Sequence, residues 1–306
     1  MNKIPVFGTV SRAYGFLIGD FVTILRLVWA PLLGAAALQY YYGGQILDAA
    51  VRTMQSDDPT RMMEFMPQQF LMGLATFVAG IIALVALQRV VIFGDRKPGL
   101  FVYLWFGSAE IRLIVVTILL LVALIAACIG FVIVFALLAA LAAALPVLFI
   151  GLFFAVVALM FASVWVSLRL VLISPVIVAE SGLGVERSWQ LMRGNALRMF
   201  VILLLTFIPL AIVSGIIFFA VFGGDLPPFP DFAGLLKPAG TDAQSSAAAQ
   251  QAMREAMMHW QAGLMEAYRK HWFETNAFAF IYSIVSTALA AGVTGSAYVS
   301  ATGKAG

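Results

Sequence analysis

The stretch LIVVTILLLVALIAACIGFVIVFALLAALAAALPVLFIGLFFAVVALMFASVWVSL, from Leu113 to Leu168, contains no charged residue. A helix needs about 20 apolar residues to cross the hydrocarbon core of a bilayer, so this stretch is long enough for two crossings. Across the 306 residues, 63% are hydrophobic, 11% are charged and the mean hydropathy is +1.01. No soluble domain needs that much apolar surface. The sequence therefore predicts a polytopic membrane protein.

The apolar runs are rich in Leu, Ala, Val and Ile and do not alternate with polar residues, which excludes an outer-membrane β-barrel. We predict an all-α fold with one membrane domain over residues 1–306. Pro146 is the expected turn between the third and fourth spans, whereas Pro31 and Pro209 lie within spans, where neighbouring helices compensate the lost hydrogen bond. The six predicted spans are Phe21–Tyr41, Phe70–Phe93, Arg112–Leu138, Val147–Leu170, Met199–Phe222 and Ala277–Val299.

The distribution of charge predicts the orientation of these spans. With both termini inside, the cytoplasmic side carries twelve Lys or Arg and five Asp or Glu, a net +7. The outer side then carries six basic and ten acidic residues, a net −4. The positive-inside rule favours this orientation. The bacterial inner membrane, with both termini cytoplasmic, is the predicted location.

Two cytoplasmic stretches resemble each other and suggest an internal repeat. RAYGFLIGD (Arg12–Asp20) precedes the first span, and RSWQLMRGN (Arg187–Asn195) precedes the fifth. A weaker third copy, LFVYLWFGS (Leu100–Ser108), precedes the third span and lacks the Arg. The closing glycines are 88 and 87 residues apart. The ends RVVIFGD (Arg89–Asp95) and YVSATGK (Tyr298–Lys304) also agree.

We therefore predict three parallel hairpin repeats, over about residues 9–94, 98–180 and 183–303, each preceded by a short cytoplasmic interfacial helix. In each copy the glycine would end that helix and the polar residue after it would cap the next. These bend positions are Gly19, Asp20, Gly107, Ser108, Gly194 and Asn195. A fold element is the favoured interpretation of the motif, and a shared ligand site is the alternative.

Basic and aromatic residues of the motif suit the lipid head-group layer. The candidate head-group contacts are Arg12, Tyr14, Arg169, Arg187, Trp189 and Arg193. Several arginines near cytoplasmic span ends can also extend towards lipid phosphates, which avoids most of the cost of a charge in the membrane. These are Arg26, Arg89, Arg112, Arg169 and Arg198.

The outer loop 224–272 divides into two parts. A Pro/Gly-rich segment, GGDLPPFPDFAGLLKPAGTD from Gly223, cannot form one helix. Residues 244–272 then show an amphipathic helix, with one apolar stripe at helical spacing: Met253, Met257, Trp260, Leu264, Tyr268 and Trp272. Covering its own bundle is the favoured role, and docking another membrane or periplasmic protein is the alternative. The first outer loop, Gly43–Gln69, is Met-rich and is a candidate for a similar role.

The stretch SLRLVLISPVIVAESGLGVERSWQLMRGN (Ser167–Asn195) resembles a bacterial family of integral membrane proteins related to the membrane domain of some glycerophosphodiester phosphodiesterases. The resemblance rests on Arg169, Pro175, Glu180, Ser188–Trp189 and Gly194. It implies a helical membrane domain. The phosphodiesterase part of that family is a separate soluble barrel, for which this chain has no room, so the resemblance implies no enzymatic activity.

No motif in the chain predicts catalysis, a cofactor or a metal. His259 and His271 are the only histidines, and they are best interpreted as solvated loop residues. Ser181 in SGLG lacks the preceding glycine of a nucleophile elbow. The cytoplasmic acids, interpreted as solvated or paired, are Asp20, Asp95, Glu110, Glu180 and Glu186.

The leading functional hypothesis is a non-enzymatic bacterial inner-membrane protein that organises or assists other membrane components or lipids. Nucleic acid is not an expected partner. The alternative is a transporter or lipid-translocating protein that uses the centre of the six-helix bundle. A polar-lined centre would favour transport and an apolar core would oppose it; the small or mildly polar positions are Gly34, Thr76, Thr117, Ser163, Ser214 and Ser286. A lipid-modifying enzyme would need converging acids or histidines.

Overall fold

The computed structural model describes residues 2–56, 63–96, 103–144, 148–180, 182–231 and 243–303. These ranges are mostly helical and contain no strand. In chain order the helices are α1 (Val6–Gly19), α2 (Phe21–Ser56), α3 (Met66–Phe93), α4 (Ser108–Ala144), α5 (Leu148–Leu170), α6 (Ile173–Ala179), α7 (Val185–Leu191), α8 (Ala196–Phe222), α9 (Ala243–Lys270) and α10 (Trp272–Thr302).

Six helices are long and apolar enough to cross a membrane, which confirms the prediction of an all-helical protein with six candidate spans. They are α2, α3, α4, α5, α8 and α10, and the candidate that contains α5 continues into α6. Helix α2 runs through Pro31 and helix α8 through Pro209, as predicted. The predicted turn at Pro146 lies outside the described residues.

Two sequence predictions differ from the structure. The first outer loop was expected from Gly43, yet α2 continues to Ser56, because QILDAAVRTMQS contains no proline and no glycine to end a helix. An interfacial helix was expected before the third span, yet Tyr103–Gly107 is not helical. The start of that copy, Leu100–Val102, lies outside the described residues.

The chain forms two compact units. Unit 1 comprises Met1–Pro31, Val78–Pro209 and Ile284–Gly306; unit 2 comprises Leu32–Phe77 and Leu210–Ser283. In unit 1, α4 packs against α5 and α6, and α7 packs against α5 and α6. Its core is mostly apolar, and its largest fully or almost fully buried side chains include Leu172, Met192, Met199, Ile202 and Tyr298. Polar side chains are buried in this unit too, among them Gln88, Glu110 and Asn195.

Unit 2 contains the predicted amphipathic helix, now seen as α9. The helix ends at Lys270, so Trp272, the last residue of the predicted stripe, begins α10. The other stripe residues are half-buried, while Arg254, Glu255, Gln261, Glu266 and Arg269 on the other side of α9 are exposed. The apolar side packs against the chain itself: Tyr268 lies 5.1 Å from Phe222, and Trp260 lies 5.5 Å from Phe229, between ring centroids. These contacts agree with the favoured role of the helix as a cover for its own bundle.

A glycine sets how closely α10 approaches α1 in unit 1. A Cβ atom added at Gly292 would lie 3.0 Å from the Cα atom and 3.2 Å from the Cβ atom of Ala13. Ala13 is itself fully buried. Small residues let membrane helices approach to backbone contact, where packing and not water drives their association. There is therefore no room for a side chain at position 292.

We predict that Gly292→Leu destabilises the protein by about 1–3 kcal/mol, because the new side chain must displace the α1 backbone. The measurement is the thermal unfolding midpoint of the purified protein in detergent. Gly80→Leu, on α3 of the same unit, is the matched control, since nothing lies within 4 Å of a Cβ atom there. Equal midpoints for the two variants would contradict the close-packing interpretation.

Candidate functional site

Most arginines near the span ends of unit 1 bind the protein itself, which differs from the expectation that they extend to lipid phosphates. Arg112 donates from Nη1 to the Glu180 carbonyl and from Nη2 to the Ile177 carbonyl, both at 3.2 Å. It thereby satisfies carbonyl groups at the end of α6. Arg198 donates to the Ile4 carbonyl at 3.2 Å. These cations have structural roles.

A second group of charges is buried at the start of α4. Glu110 is fully buried; its Oε2 accepts a hydrogen bond from the Gly107 backbone N–H at 2.9 Å, and its Oε1 lies 3.5 Å from Nη2 of Arg89. Arg89 also donates to the Tyr103 hydroxyl at 3.3 Å. Burial raises the pKa of Tyr103. The interpretation of Glu110 as solvated is therefore wrong, and the alternative, that it is paired, is correct.

Arg169, at the end of α5, has a different environment from these arginines. Its guanidinium carbon lies 4.7 Å from the ring centroid of Trp165 and 5.3 Å from that of Trp189. Nη1 donates a long hydrogen bond of 3.4 Å to the Trp189 carbonyl. Nε is buried without a partner, and no carboxylate within the described ranges lies at salt-bridge distance. The charge of Arg169 is thus held between two aromatic rings and left uncompensated by the described residues.

The local sequence explains this arrangement. Trp165 precedes Arg169 by four residues on α5, so the two side chains lie on one face of the helix. Trp189 is supplied by α7, which is fastened to α5 where the Ser188 hydroxyl donates to the Arg169 carbonyl at 2.9 Å. Gly184 begins α7 with φ of 77°, in the left-handed region. A Cβ atom at Gly184 would also lie 3.1 Å from the Ile173 carbonyl oxygen.

Glu180 connects α6, α7 and α10 beside this site. Its Oε1 accepts a hydrogen bond from the Tyr298 hydroxyl at 3.0 Å and lies 3.4 Å from Nε of Arg187. Arg187 is therefore paired with a carboxylate of its own chain. Its predicted contact with a lipid head group has to compete with that pairing.

The bend residues before α8 fasten the N-terminal segment. Gly194 has φ of 82°, which fits its predicted place at the end of a helix. Asn195 is almost fully buried, and its Oδ1 accepts a hydrogen bond from the Ile4 N–H at 3.2 Å. Its Nδ2 donates to the carbonyls of Asn2 at 3.3 Å and Leu191 at 3.2 Å. The side chain of Asn195 therefore joins distant parts of the chain.

The other two copies of the motif reach their bends differently. Gly19 is not among the glycines with positive φ, and Asp20 binds Arg96 through both carboxylate oxygens, at 2.8 and 3.3 Å. That bidentate contact raises the pKa of Arg96. Before α4, Glu110 and not Ser108 returns to the Gly107 N–H, which is half of a capping box. The three bends share positions in the chain but not one geometry.

The ends of α3 and α10 do share a geometry. Gly94 follows α3 with φ of 69°, and Gly303 follows α10 with φ of 70°. Each glycine N–H donates to the carbonyl four residues earlier, Gly94 to Val90 at 2.9 Å and Gly303 to Val299 at 3.0 Å. These are the two ends that agree in sequence.

The remaining candidate head-group residues lie in separate surroundings. Arg12 and Arg193 are exposed. Tyr14 is half-buried and donates its hydroxyl proton to the Thr206 carbonyl at 2.8 Å. Of the six candidates, the structure brings Arg169 and Trp189 into contact, and sequence reasoning missed their third member, Trp165. The spacing of an aromatic residue four positions before an arginine was the available signal.

The chain matches no protein-family model, no curated protein and no solved structure. Of the residues behind the resemblance, Ser188 and Trp189 contact Arg169. Membership of that family stays a prediction. In the described part of the chain, no three His, Cys, Asp or Glu side chains are grouped so that they could hold a metal ion. That no metal or cofactor is required stays a prediction.

We predict that Asn195→Ala releases the N-terminal segment, because the buried Ile4 N–H loses its acceptor at a cost of about 1–3 kcal/mol. Hydrogen exchange measured by mass spectrometry should become faster in residues 2–10. Gln190→Ala is the control, since Gln190 is exposed and binds Glu186 on its own helix. Unchanged exchange in Asn195→Ala would show that this contact does not hold the segment.

Proposed function

We propose that the protein is a non-enzymatic multi-pass protein of the bacterial inner membrane that binds anionic lipid head groups and so organises or assists other membrane components. The observation that supports this proposal is the uncompensated Arg169 between Trp165 and Trp189. Tryptophan and arginine together suit the membrane interface, where one side of the residue is apolar and the other meets water and phosphate.

The position of Arg169 favours specific binding of a lipid phosphate over general attraction to an anionic membrane surface. A basic residue near an anionic leaflet contributes about 1 kcal/mol wherever it lies. An arginine that must be ordered first gives up about 1.5–2 kcal/mol of side-chain freedom. Arg169 is already held by two rings and by the Trp189 carbonyl, so that cost is small. Its planar guanidinium also matches the paired oxygens of a phosphate.

The proposed membrane orientation puts this site on the cytoplasmic side. The positive-inside rule places the end of α5 and the start of α8 there, with both termini. Arg187 and Arg193 belong to the same segment. The cytoplasmic leaflet is the one that carries the negative surface potential. The proposed orientation therefore brings the site to the leaflet whose lipids it would bind.

The alternative of a transporter receives less support from unit 1. The buried core of that unit is lined mostly by Leu, Ile, Val, Met and Ala. Its fully buried Gln88 is used for internal hydrogen bonds, donating to the hydroxyls of Ser174 at 2.7 Å and Thr294 at 3.1 Å. The hydroxyls of Thr117 and Ser163 donate to carbonyls of their own helices, at 2.7 and 2.8 Å. In unit 2, Ser214 does the same at 2.7 Å. Hydroxyls that are satisfied within their own helix offer little to a polar path.

The proposed partners are lipids first and a protein second. The apolar stripe of α9 already packs on its own chain through the Tyr268–Phe222 and Trp260–Phe229 contacts. A membrane or periplasmic protein would therefore meet the charged side of α9. Its exposed residues there include Arg254, Glu255, Gln261, Glu266 and Arg269.

We predict that Arg169→Gln reduces the anionic lipid that copurifies with the protein by more than the roughly fivefold that general attraction alone, at ~1 kcal/mol, accounts for. The measurement is mass spectrometry of the lipids bound to the purified protein, compared with the source membrane. Arg169→Lys should lose most of the enrichment as well, because an ammonium lacks the planar fork that stacks on aromatic faces and binds two phosphate oxygens side by side.

Arg193→Gln is the matched control, since it removes the same charge from an exposed side chain of the same segment. We expect it to reduce the lipid content by no more than about fivefold, which is the effect of general attraction. Equal losses in Arg169→Gln and Arg193→Gln would mean general charge attraction, and a bulk-like lipid profile in the wild type would contradict the proposal.

A further inference from the structure

Unit 2 contains a pocket that is separate from the Arg169 site. It lies among α8, α9 and α10 and has a volume of about 220 Å³. The walls are mostly apolar and aromatic, and they include Phe218 and Phe222 of α8, Tyr268 of α9, and Phe278 and Tyr282 of α10. The volume exceeds the roughly 150 Å³ of an apolar cavity that binds benzene. An aromatic ring or one alkyl chain segment therefore fits inside.

The walls of this pocket are held in place by rings and by charges. Phe218 and Phe222 stack with centroids 4.7 Å apart. Beyond them, Asp225 accepts a hydrogen bond from Nζ of Lys270 at 2.6 Å and lies 2.7 Å from Nε2 of His271. The contact with His271 lowers the pKa of Asp225 the most, and the contact with Lys270 lowers it further. This carboxylate is therefore charged at neutral pH. The end of α8 is thus tied to the junction of α9 and α10.

One lining residue, Glu274, carries a charge that no described residue neutralises. Glu274 is exposed in the first turn of α10. The nearest basic residues along the chain are already paired, Lys270 with Asp225 and Arg269 with Glu266 at 2.8 Å. No basic group of the described residues lies within salt-bridge distance of Glu274. The pocket therefore combines an apolar interior with one carboxylate that is open to a ligand.

We propose that this pocket binds the alkyl chain of a single-chain amphiphile whose ammonium head group pairs with Glu274. The open carboxylate selects a cationic head, and the volume suits a single alkyl chain. Both α8 and α10 are candidate spans, so such a ligand enters with its tail from the hydrocarbon and its head near the membrane surface. This pocket belongs to unit 2 and its proposed ligand is cationic, whereas Arg169 belongs to unit 1 and its proposed ligand is anionic. The proposal therefore does not depend on the Arg169 site.

The test uses isothermal titration calorimetry at pH 7.5. The purified protein, in a nonionic detergent, is titrated separately with decylamine, decanoate and decanol. At that pH decylamine is protonated, since a primary alkylamine titrates near 10.4 as Lys does. We expect saturable binding of decylamine that is at least fivefold tighter than binding of the other two probes. Heats from protein-free micelles are subtracted.

Two variants of Glu274 test the role of the charge. Glu274→Gln should weaken decylamine binding about fivefold, as expected for an exposed ion pair of this kind. Glu274→Lys should reverse the order of affinities, so that decanoate binds more tightly than decylamine. Glu255→Gln should have no effect, because Glu255 is an exposed carboxylate on α9 that does not line the pocket.

A third variant tests the pocket itself. Ala279 lines the cavity, so Ala279→Leu should fill it and weaken decylamine binding at least tenfold. Ala277→Leu is the matched control, because Ala277 is half-buried on the same helix and does not line the cavity. If Ala279→Leu does not fold, the reversal in Glu274→Lys still decides the question, because Glu274 is exposed.

The proposal is overturned if the three probes bind wild-type protein equally, or if Ala279→Leu binds decylamine as the wild type does. It is also overturned if the two Glu274 variants leave the order of affinities unchanged. Displacement of decylamine by diacyl phosphatidylethanolamine at equal affinity would overturn the single-chain ligand. Loss of decylamine binding in Arg169→Gln would contradict the independence of the two sites.

Discussion

The fold of unit 1 depends on polar contacts and small-residue packing, because apolar burial contributes little to the association of helices in lipid. Lipid tails solvate Leu and Val as well as a protein core does, so membrane helices associate through close packing and hydrogen bonds. In the most apolar window of α4 no residue is buried. What joins distant segments is Asn195 with Ile4, Glu180 with Tyr298, and the close approach of Gly292 to Ala13.

The same constraint explains why Arg169 is distinctive. A cation near the hydrocarbon has to find partners or reach the interface. Arg89 is paired with Glu110, whereas Arg112 and Arg198 donate to backbone carbonyls. What distinguishes Arg169 is its place between two tryptophan faces. A cation–π contact contributes about 0.5–2 kcal/mol but leaves the charge available to an anion. The arrangement holds the charge without neutralising it.

The repeated motif is best understood as a set of positions where the chain turns into a span. Gly194, Gly107 and Gly19 all precede a long helix, but their conformations differ. Gly194 has a left-handed backbone, Gly107 donates to the capping Glu110, and Gly19 ends a regular helix. The polar residue after each glycine or near it is used for a tertiary contact, as with Asp20 and Arg96 or Asn195 and Ile4. Three parallel repeats remain a prediction.

The sequence by itself determined the membrane class, the six spans and the amphipathic α9, because these follow from run length, composition and periodicity, which are local properties. Only the tertiary structure decided which polar residues are buried and with which partner. Glu110 and Asn195 carry no local sign of burial, since their partners Arg89 and Ile4 are far away in the chain. Trp165 was within reach of a spacing argument, but Trp189 joins it only because Ser188 fastens α7 to the end of α5.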